Sequence, residues 1–263
     1  MNQNSDQASK APPFSGPRSA PIRHIGEAGI FLFRILARLR FSPRQWAEVM
    51  RQTYFVGIRS LVIIMTGGLF VGLVLALQTY DVLTDFGATE AVGTIVGKSL
   101  YRELGPVLAA LLFAGRAGTS ITAEIGLMKA TEQLDALDLM AIDPIERIVL
   151  PRLVAAVISL PILTLLFDML AILGSYLFAV HWMGLEQGIY WSNMQSHVSL
   201  YKEFFPGLMK TVVFGLVCGL TAVYYGYHAR PTGEGVGIAT TQTVIISSIL
   251  VLILDFALSA LML

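Results

Sequence analysis

Five long apolar stretches dominate the chain, at about residues 57–80, 91–117, 148–180, 207–228 and 238–263. Each reaches or exceeds the roughly 20 residues with which an α-helix crosses ~30 Å of hydrocarbon, so the pattern predicts five transmembrane helices. The third is long enough to tilt or project, with Pro151 and Pro161 as candidate kinks. Upstream the pattern differs. Residues 1–24 are polar and aperiodic, rich in Ser, Pro and Gln, and are expected to form a disordered tail. Over 25–56 the apolar residues Ile30, Phe31, Leu32, Phe33, Ile35, Leu36 and Leu39 alternate with Arg34, Arg38, Arg40, Arg44 and Arg51. That is too much charge for a span and suits an amphipathic helix lying in the headgroup layer, with Trp46 at the interface. A signal peptide fits poorly, because Arg34 and Arg38 break the apolar run and no small-residue cleavage site follows.

The connection between the second and third spans carries a pattern of its own. Leu127, Ala130, Leu134, Leu137 and Ala141 recur at helical spacing, with Glu124, Glu132, Asp135 and Asp138 largely off that stripe, which predicts an amphipathic helix over 122–141. Asp143-Pro144 supplies its stop. Either an ordinary surface helix or one that docks in a groove of a partner protein fits this pattern.

Composition agrees with the spans. The 263 residues are 55% hydrophobic and 14% charged, with a mean hydropathy of +0.68, far too apolar for an ordinary soluble domain. Net charge is zero, so nothing argues for a nucleic-acid partner, but nine of the 18 Lys and Arg precede residue 60. Residues 81–90 hold three acids and no base, 118–147 hold Lys129 and Arg147, and 181–203 hold only Lys202. The positive-inside rule therefore puts the N-terminus and the 118–147 connection in the cytoplasm and the C-terminus on the far side. Trp182, Tyr190, Trp191 and Tyr201 give the outer connection the composition of an aromatic belt. His181 and His197 lack metal-ligand spacing, and the single Cys218 lies in an apolar run, so neither a metal site nor a disulfide is expected.

Few residues offer chemistry. Gly93–Ser99, GTIVGKS, resembles a phosphate-binding loop but has three residues between its glycines instead of four, and it opens an apolar helix, so nucleotide binding by this chain is rejected. Gly93 and Gly97, Gly68 and Gly72, and Gly215 and Gly219 instead read as small-residue packing faces. The ionisable residues at membrane depth are Lys98, Arg102, Glu103, Asp168, Lys210 and Asp255, and such groups mark either a cavity or a partner charge. Lys98 and Arg102 share a helical face and suit a phosphate-bearing lipid; equally, Asp255 and Glu103 can neutralise Lys210 and Arg102. Asp168 and Asp255 lack the Gly-x-Gly-Asp setting of an intramembrane aspartyl protease.

The run RELGPVLAALLFAGRAGTSITAEIGLMKATEQLDALDLMAIDP, followed by LPRLVAAVISLPILTLL and, near the end, TTQTVIISSILVLILDFALSALM, closely resembles the MlaE-type permeases of bacterial ABC lipid transporters, over about residues 25–263. The resemblance implies an all-α membrane protein with an N-terminal interfacial elbow helix, five transmembrane helices, and a cytoplasmic coupling helix between the second and third spans. It implies a homodimer in the bacterial inner membrane, N-terminus cytoplasmic and C-terminus periplasmic. Such a permease moves phospholipids between that membrane and a periplasmic MCE-domain hexamer, MlaD, to maintain outer-membrane lipid asymmetry. The chain itself would be non-catalytic and without a cofactor; ATP and Mg would be used by the partner ATPase, MlaF, to which the STAS protein MlaB binds. Carried over by position, Glu124, Lys129, Glu132, Asp135 and Asp138 would couple to the ATPase. Leu75, Leu83, Phe86, Arg102, Glu103, Lys210 and Asp255 would line or border the lipid cavity between protomers. Two other functions stay open. One is an ion-coupled secondary transporter relaying through Asp168, Glu103 and Lys210, although no inverted repeat is evident; the other is a scaffold that anchors periplasmic and cytoplasmic partners.

Overall fold

A computed structural model of the protein describes residues 20–38 and 43–262. Among them there is no strand, and five helical segments are long and apolar enough to cross a membrane: Gln45–Asp85, Thr89–Ala130, Ile145–Trp182, Tyr201–His228 and Gly233–Met262. The chain is thus an all-α, multi-pass membrane protein.

The first segment departs from expectation. Helix α1 (Ala20–Leu36) is followed by α2 (Pro43–Asp85), one continuous helix of 43 residues, about 65 Å at 1.5 Å per residue. The region assigned to one amphipathic helix over 25–56 is therefore shared between α1 and the first turns of α2. Pro43 accounts for the division, since its fixed φ and missing N–H suit the start of a new helix. Residues 20–24, assigned to the tail, belong to α1. The rest of that tail, residues 1–19, and Leu39 and Arg40 lie outside the described residues.

α1 does not stand free. Phe31 and Ile35 are buried, and the Phe31 ring meets Tyr224, Tyr227 and His228 with centroids 5.4–5.9 Å apart. The Tyr224 hydroxyl donates to Glu27 at 3.1 Å, and Arg38 forms an ion pair with Asp143. The N-terminal helix, the end of the fourth span and the 131–144 connection consequently share one end of the bundle.

The second span is assembled from α3 (Val92–Ser99), α4 (Gly105–Phe113) and α5 (Thr119–Ala130), joined by π-helical turns at Leu100–Leu104 and Ala114–Gly118. After it comes the short α6 (Gln133–Leu139). The third span is α7 (Leu150–Tyr176), with π-turns at Ile145–Val149 and Leu177–Trp182; α8 (Gln187–His197) follows, and a π-turn at Leu200–Phe204 opens α9 (Phe205–His228). Pro106, Pro151 and Pro206 each stand just after one of these turns, where the missing N–H would otherwise interrupt an i→i−4 ladder. Pro151 is thus a first-turn residue, and only Pro161 lies inside α7. The last span is α10 (Gly233–Met262).

Small residues set the helix crossings. Gly68 and Gly72 of α2 lie directly against the Phe167 and Ala171 carbonyls of α7; a Cβ at Gly68 would sit 2.5 Å from the former, and one at Gly72 would overlap the latter. Gly215 and Gly219 of α9 meet α7 at Ala156 and Val157, and Gly93 and Gly97 of α3 meet Tyr190 and Met194 of α8. All three expected small-residue faces therefore carry helix contacts. Tyr190 is fully buried, its hydroxyl donating to Ser175 at 3.1 Å, and burial pushes its phenol above the ordinary range. Thr122 joins three helices in the same way, bonding to Ala222 O of α9 at 3.0 Å and to the Thr243 hydroxyl of α10 at 2.9 Å. α10 buries a narrow stripe of Gly235, Ala239, Thr243, Ser247 and Val251 and leaves Ile245, Ile249, Leu252, Ile253 and Phe256 exposed.

Candidate functional site

The π-turn Leu100–Leu104 is the segment that carries Arg102 and Glu103. A proline at 106 cannot donate to the carbonyl of residue 102, so the helix is unable to satisfy Arg102 O in the usual i→i−4 way. Lys210 of α9 donates to that carbonyl at 3.1 Å. The same ammonium donates to Asp255 Oδ1 at 2.9 Å and to Ser259 Oγ at 2.7 Å, both on α10. An ammonium has three N–H donors, and all three are committed. Lys210 is 1% exposed, so it faces protein on every side, whereas Asp255 keeps some exposure at the bundle surface. Arg102 and Glu103 are half exposed, with Nε and Oε1 3.9 Å apart, at the outer limit of an ion pair. Lys210 thus pairs with Asp255, and Arg102 lies at the edge of ion-pair distance from Glu103, as the charge-neutralising arrangement would have it. Ser259 was missed; its signal is the i,i+4 spacing from Asp255, which puts both oxygens on one face of α10.

Asp168 of α7 lies beside this node. Its Oδ1 is buried without a hydrogen-bond partner and abuts Gly105, where a Cβ could not fit. No hydrogen bond links it to Lys210, Glu103 or Asp255 among the described residues.

The three apolar candidates occupy the opposite end of α2 from α1. Leu75 and Leu83 are half buried against the same core as Tyr101, Leu104, Leu254 and Leu258, while Phe86, in the turn after α2, is 77% exposed. A groove of about 650 Å³ opens on another face of α2, between Leu73, Leu77, Tyr80 and Asp81 and the third span's Phe178 and Trp182. It includes none of Leu75, Leu83 and Phe86.

The predicted helix over 122–141 is two helices. α5 continues the second span to Ala130; Glu132 then takes φ +59°, and α6 begins at Gln133. A left-handed residue cannot continue an α-helix, which is why the chain turns there. The candidate coupling residues fall in two groups as a result. Glu124 belongs to the span, where it accepts from Arg152 Nη2 at 3.2 Å and from Ser120 at 3.4 Å. Lys129 donates to Tyr227 O at 2.8 Å and lies over that ring, tying α5 to the end of α9. Glu132, Asp135 and Asp138 are exposed, and beside them Leu139 (89% exposed), Met140 and Ile142 present apolar side chains to solvent. That apolar group was missed, because LDLMAIDP lacks a helical stripe; the signal was the density of large apolar residues around acids in a connection.

Comparison with known proteins covers almost the whole chain. The family model described as Permease MlaE matches residues 49–261. The chain is 47% identical over 240 residues to the intermembrane phospholipid transport system permease protein MlaE of Haemophilus influenzae, covering 91% of this chain and 92% of that protein. It is 39% identical over 238 residues to a probable ABC transporter permease protein of Rickettsia typhi (90% and 92% covered), and 31% identical over 227 residues to one of Pyropia yezoensis (86% of each).

Proposed function

Because the chain belongs to the MlaE permease family, we propose that it is the membrane subunit of an ABC transporter that moves phospholipids between the bacterial inner membrane and a periplasmic MCE-domain hexamer of the MlaD type, thereby maintaining outer-membrane lipid asymmetry. The observation that carries this reading is the likeness, over 91% of the chain, to a permease of intermembrane phospholipid transport, in a chain whose five spans lie almost entirely within the residues that the family model matches. Two copies of the chain hold lipid between them, with Leu75, Leu83 and Phe86 on the lipid path and Arg102 and Glu103 bordering it; the N-terminus is cytoplasmic and the C-terminus periplasmic. ATP and Mg are used by a separate MlaF-type ATPase carrying a MlaB-type STAS protein, and this chain supplies no catalytic group and holds no cofactor.

The ATPase docks on the 131–144 connection. Glu132, Asp135 and Asp138 supply charge, and Leu139, Met140 and Ile142 supply exposed apolar area; this pairing of an apolar centre with a charged rim is typical of a protein interface. Glu124 and Lys129 take a different part: their bonds to Arg152 and to Tyr227 O fasten this end of the bundle, so a push on α6 reaches the second, third and fourth spans together. An ion relay through Lys210 has less support, since its three donors are already taken.

Charge reversal tests the docking. Glu132→Lys with Asp135→Lys should abolish recovery of the ATPase in a pull-down from detergent while the chain still inserts and elutes normally. Undiminished ATPase recovery, or ATP hydrolysis by the purified chain alone, would refute the assignment.

A further inference from the structure

A narrow cleft runs between the first and second spans at the end of the bundle that carries the 131–144 connection. Gln52, Phe55 and Arg59 of α2 face Arg116, Ser120 and Glu124 of the second span across it. Arg59 stands about 39 Å along the helix from Asp85 at 1.5 Å per residue, which exceeds the ~30 Å of hydrocarbon and puts its guanidinium at headgroup depth. Arg116 belongs to the π-turn Ala114–Gly118 and is half buried.

Charge in this cleft is unbalanced. Among the described residues neither Arg59 nor Arg116 has a carboxylate within ion-pair distance. Glu124, the one acid lining the cleft, is already held by Arg152 Nη2 at 3.2 Å and by the Ser120 hydroxyl. Two uncompensated guanidinium groups facing one cleft repel each other unless an anion lies between them. Arg59 also stacks over the Phe55 ring, 5.5 Å from its centroid, beside the cleft that both residues line. The free space inside is about 20 Å³, room for a single oxygen-sized group and too little for an acyl chain. Outside the cleft, Phe55, Ile58 and Val62 form an exposed apolar strip along α2, at helical spacing and leading toward the bilayer centre.

We propose that this cleft binds the phosphate of a phospholipid from the adjoining leaflet: one phosphate oxygen enters between Arg59 and Arg116, and an acyl chain lies along Phe55, Ile58 and Val62. Arginine suits the task because its planar fork bonds phosphate oxygens in pairs, and the Gln52 amide, which keeps a second N–H besides the one on Glu48, adds an uncharged donor. The site is separate from the lipid cavity assigned to the homodimer and does not depend on lipid being the transported cargo. It gives the spans that flank the cleft a lipid to hold whatever the cargo is.

The test is native mass spectrometry of the full chain, delipidated in detergent and titrated with dioleoylphosphatidylglycerol. Arg59→Gln and Arg116→Gln should each weaken one bound lipid per protomer by roughly tenfold or more, the effect of losing a charge-assisted hydrogen bond. Arg59→Lys should keep part of the binding. Arg51→Gln, which removes an exposed arginine already paired with Glu48, should leave it unchanged. Lipid counts and affinities equal to wild type in both glutamine variants would overturn the proposal. So would loss of the same lipid on adding millimolar inorganic phosphate, which would make the cleft a site for free phosphate.

Discussion

Lys210 shows how a charge is tolerated deep in an apolar bundle. Its ammonium meets a carboxylate, a hydroxyl and a backbone carbonyl, so no donor is left over, and the three bonds join the second, fourth and fifth spans at one point. Removing only one member of a buried pair leaves an uncompensated charge, at a cost of about 3–5 kcal/mol, whereas replacing both by apolar groups costs far less. Lys210→Met or Asp255→Leu alone should therefore lower the melting temperature of the detergent-solubilised chain sharply, and the double variant should recover most of the loss. A double variant as unstable as the sum of the singles would show that the pair is not coupled. The pairing was legible in the sequence because two opposite charges in otherwise apolar spans have few other places to go. Arg102 O was not legible, because its availability depends on a proline four residues later and on the local π-turn.

At the scale of helices, close approach of backbones is what fixes the arrangement. α2 and α7 meet through Gly68, Gly72 and Gly174, where any larger residue would strike a backbone carbonyl or nitrogen. Gly72→Val should prevent recovery of monodisperse protein. Gly57→Ala, on the same helix with nothing within 4 Å, should be neutral or stabilising by about 0.5–1 kcal/mol, as read from the melting temperature. Equal yields of the two variants would contradict the crossing. The small-residue faces and the five spans follow from periodicity and were open to reading. The break at Glu132 was not, because Thr131-Glu132 contains none of the Gly, Asn or Pro that mark a turn; the left-handed residue is held instead by tertiary anchors, Lys129 on Tyr227 O before it and buried Leu134 after it. The length of α2 was hidden for a related reason: charged turns outside the hydrocarbon read as a separate element when only apolarity is counted.

For the whole molecule, the chain has two ends with different work. One gathers α1, the ends of α5 and α9, and the acidic 131–144 connection, tied by Arg38–Asp143, Glu124–Arg152 and Lys129–Tyr227. The other carries Phe86 and the aromatic α8 region. Between them α10 leaves an apolar face uncovered, as a span does that meets lipid or a second copy. Transport in the proposed scheme is ATP-driven closure at the first end that changes lipid access at the second. The most direct measurement is transfer of a labelled phospholipid between this chain, reconstituted in proteoliposomes with the proposed ATPase and STAS partners, and the proposed MCE partner. Transfer should require ATP and be lost in Phe86→Asp while ATPase recovery stays intact; transfer that proceeds without the ATPase, driven by a proton gradient, would contradict the account.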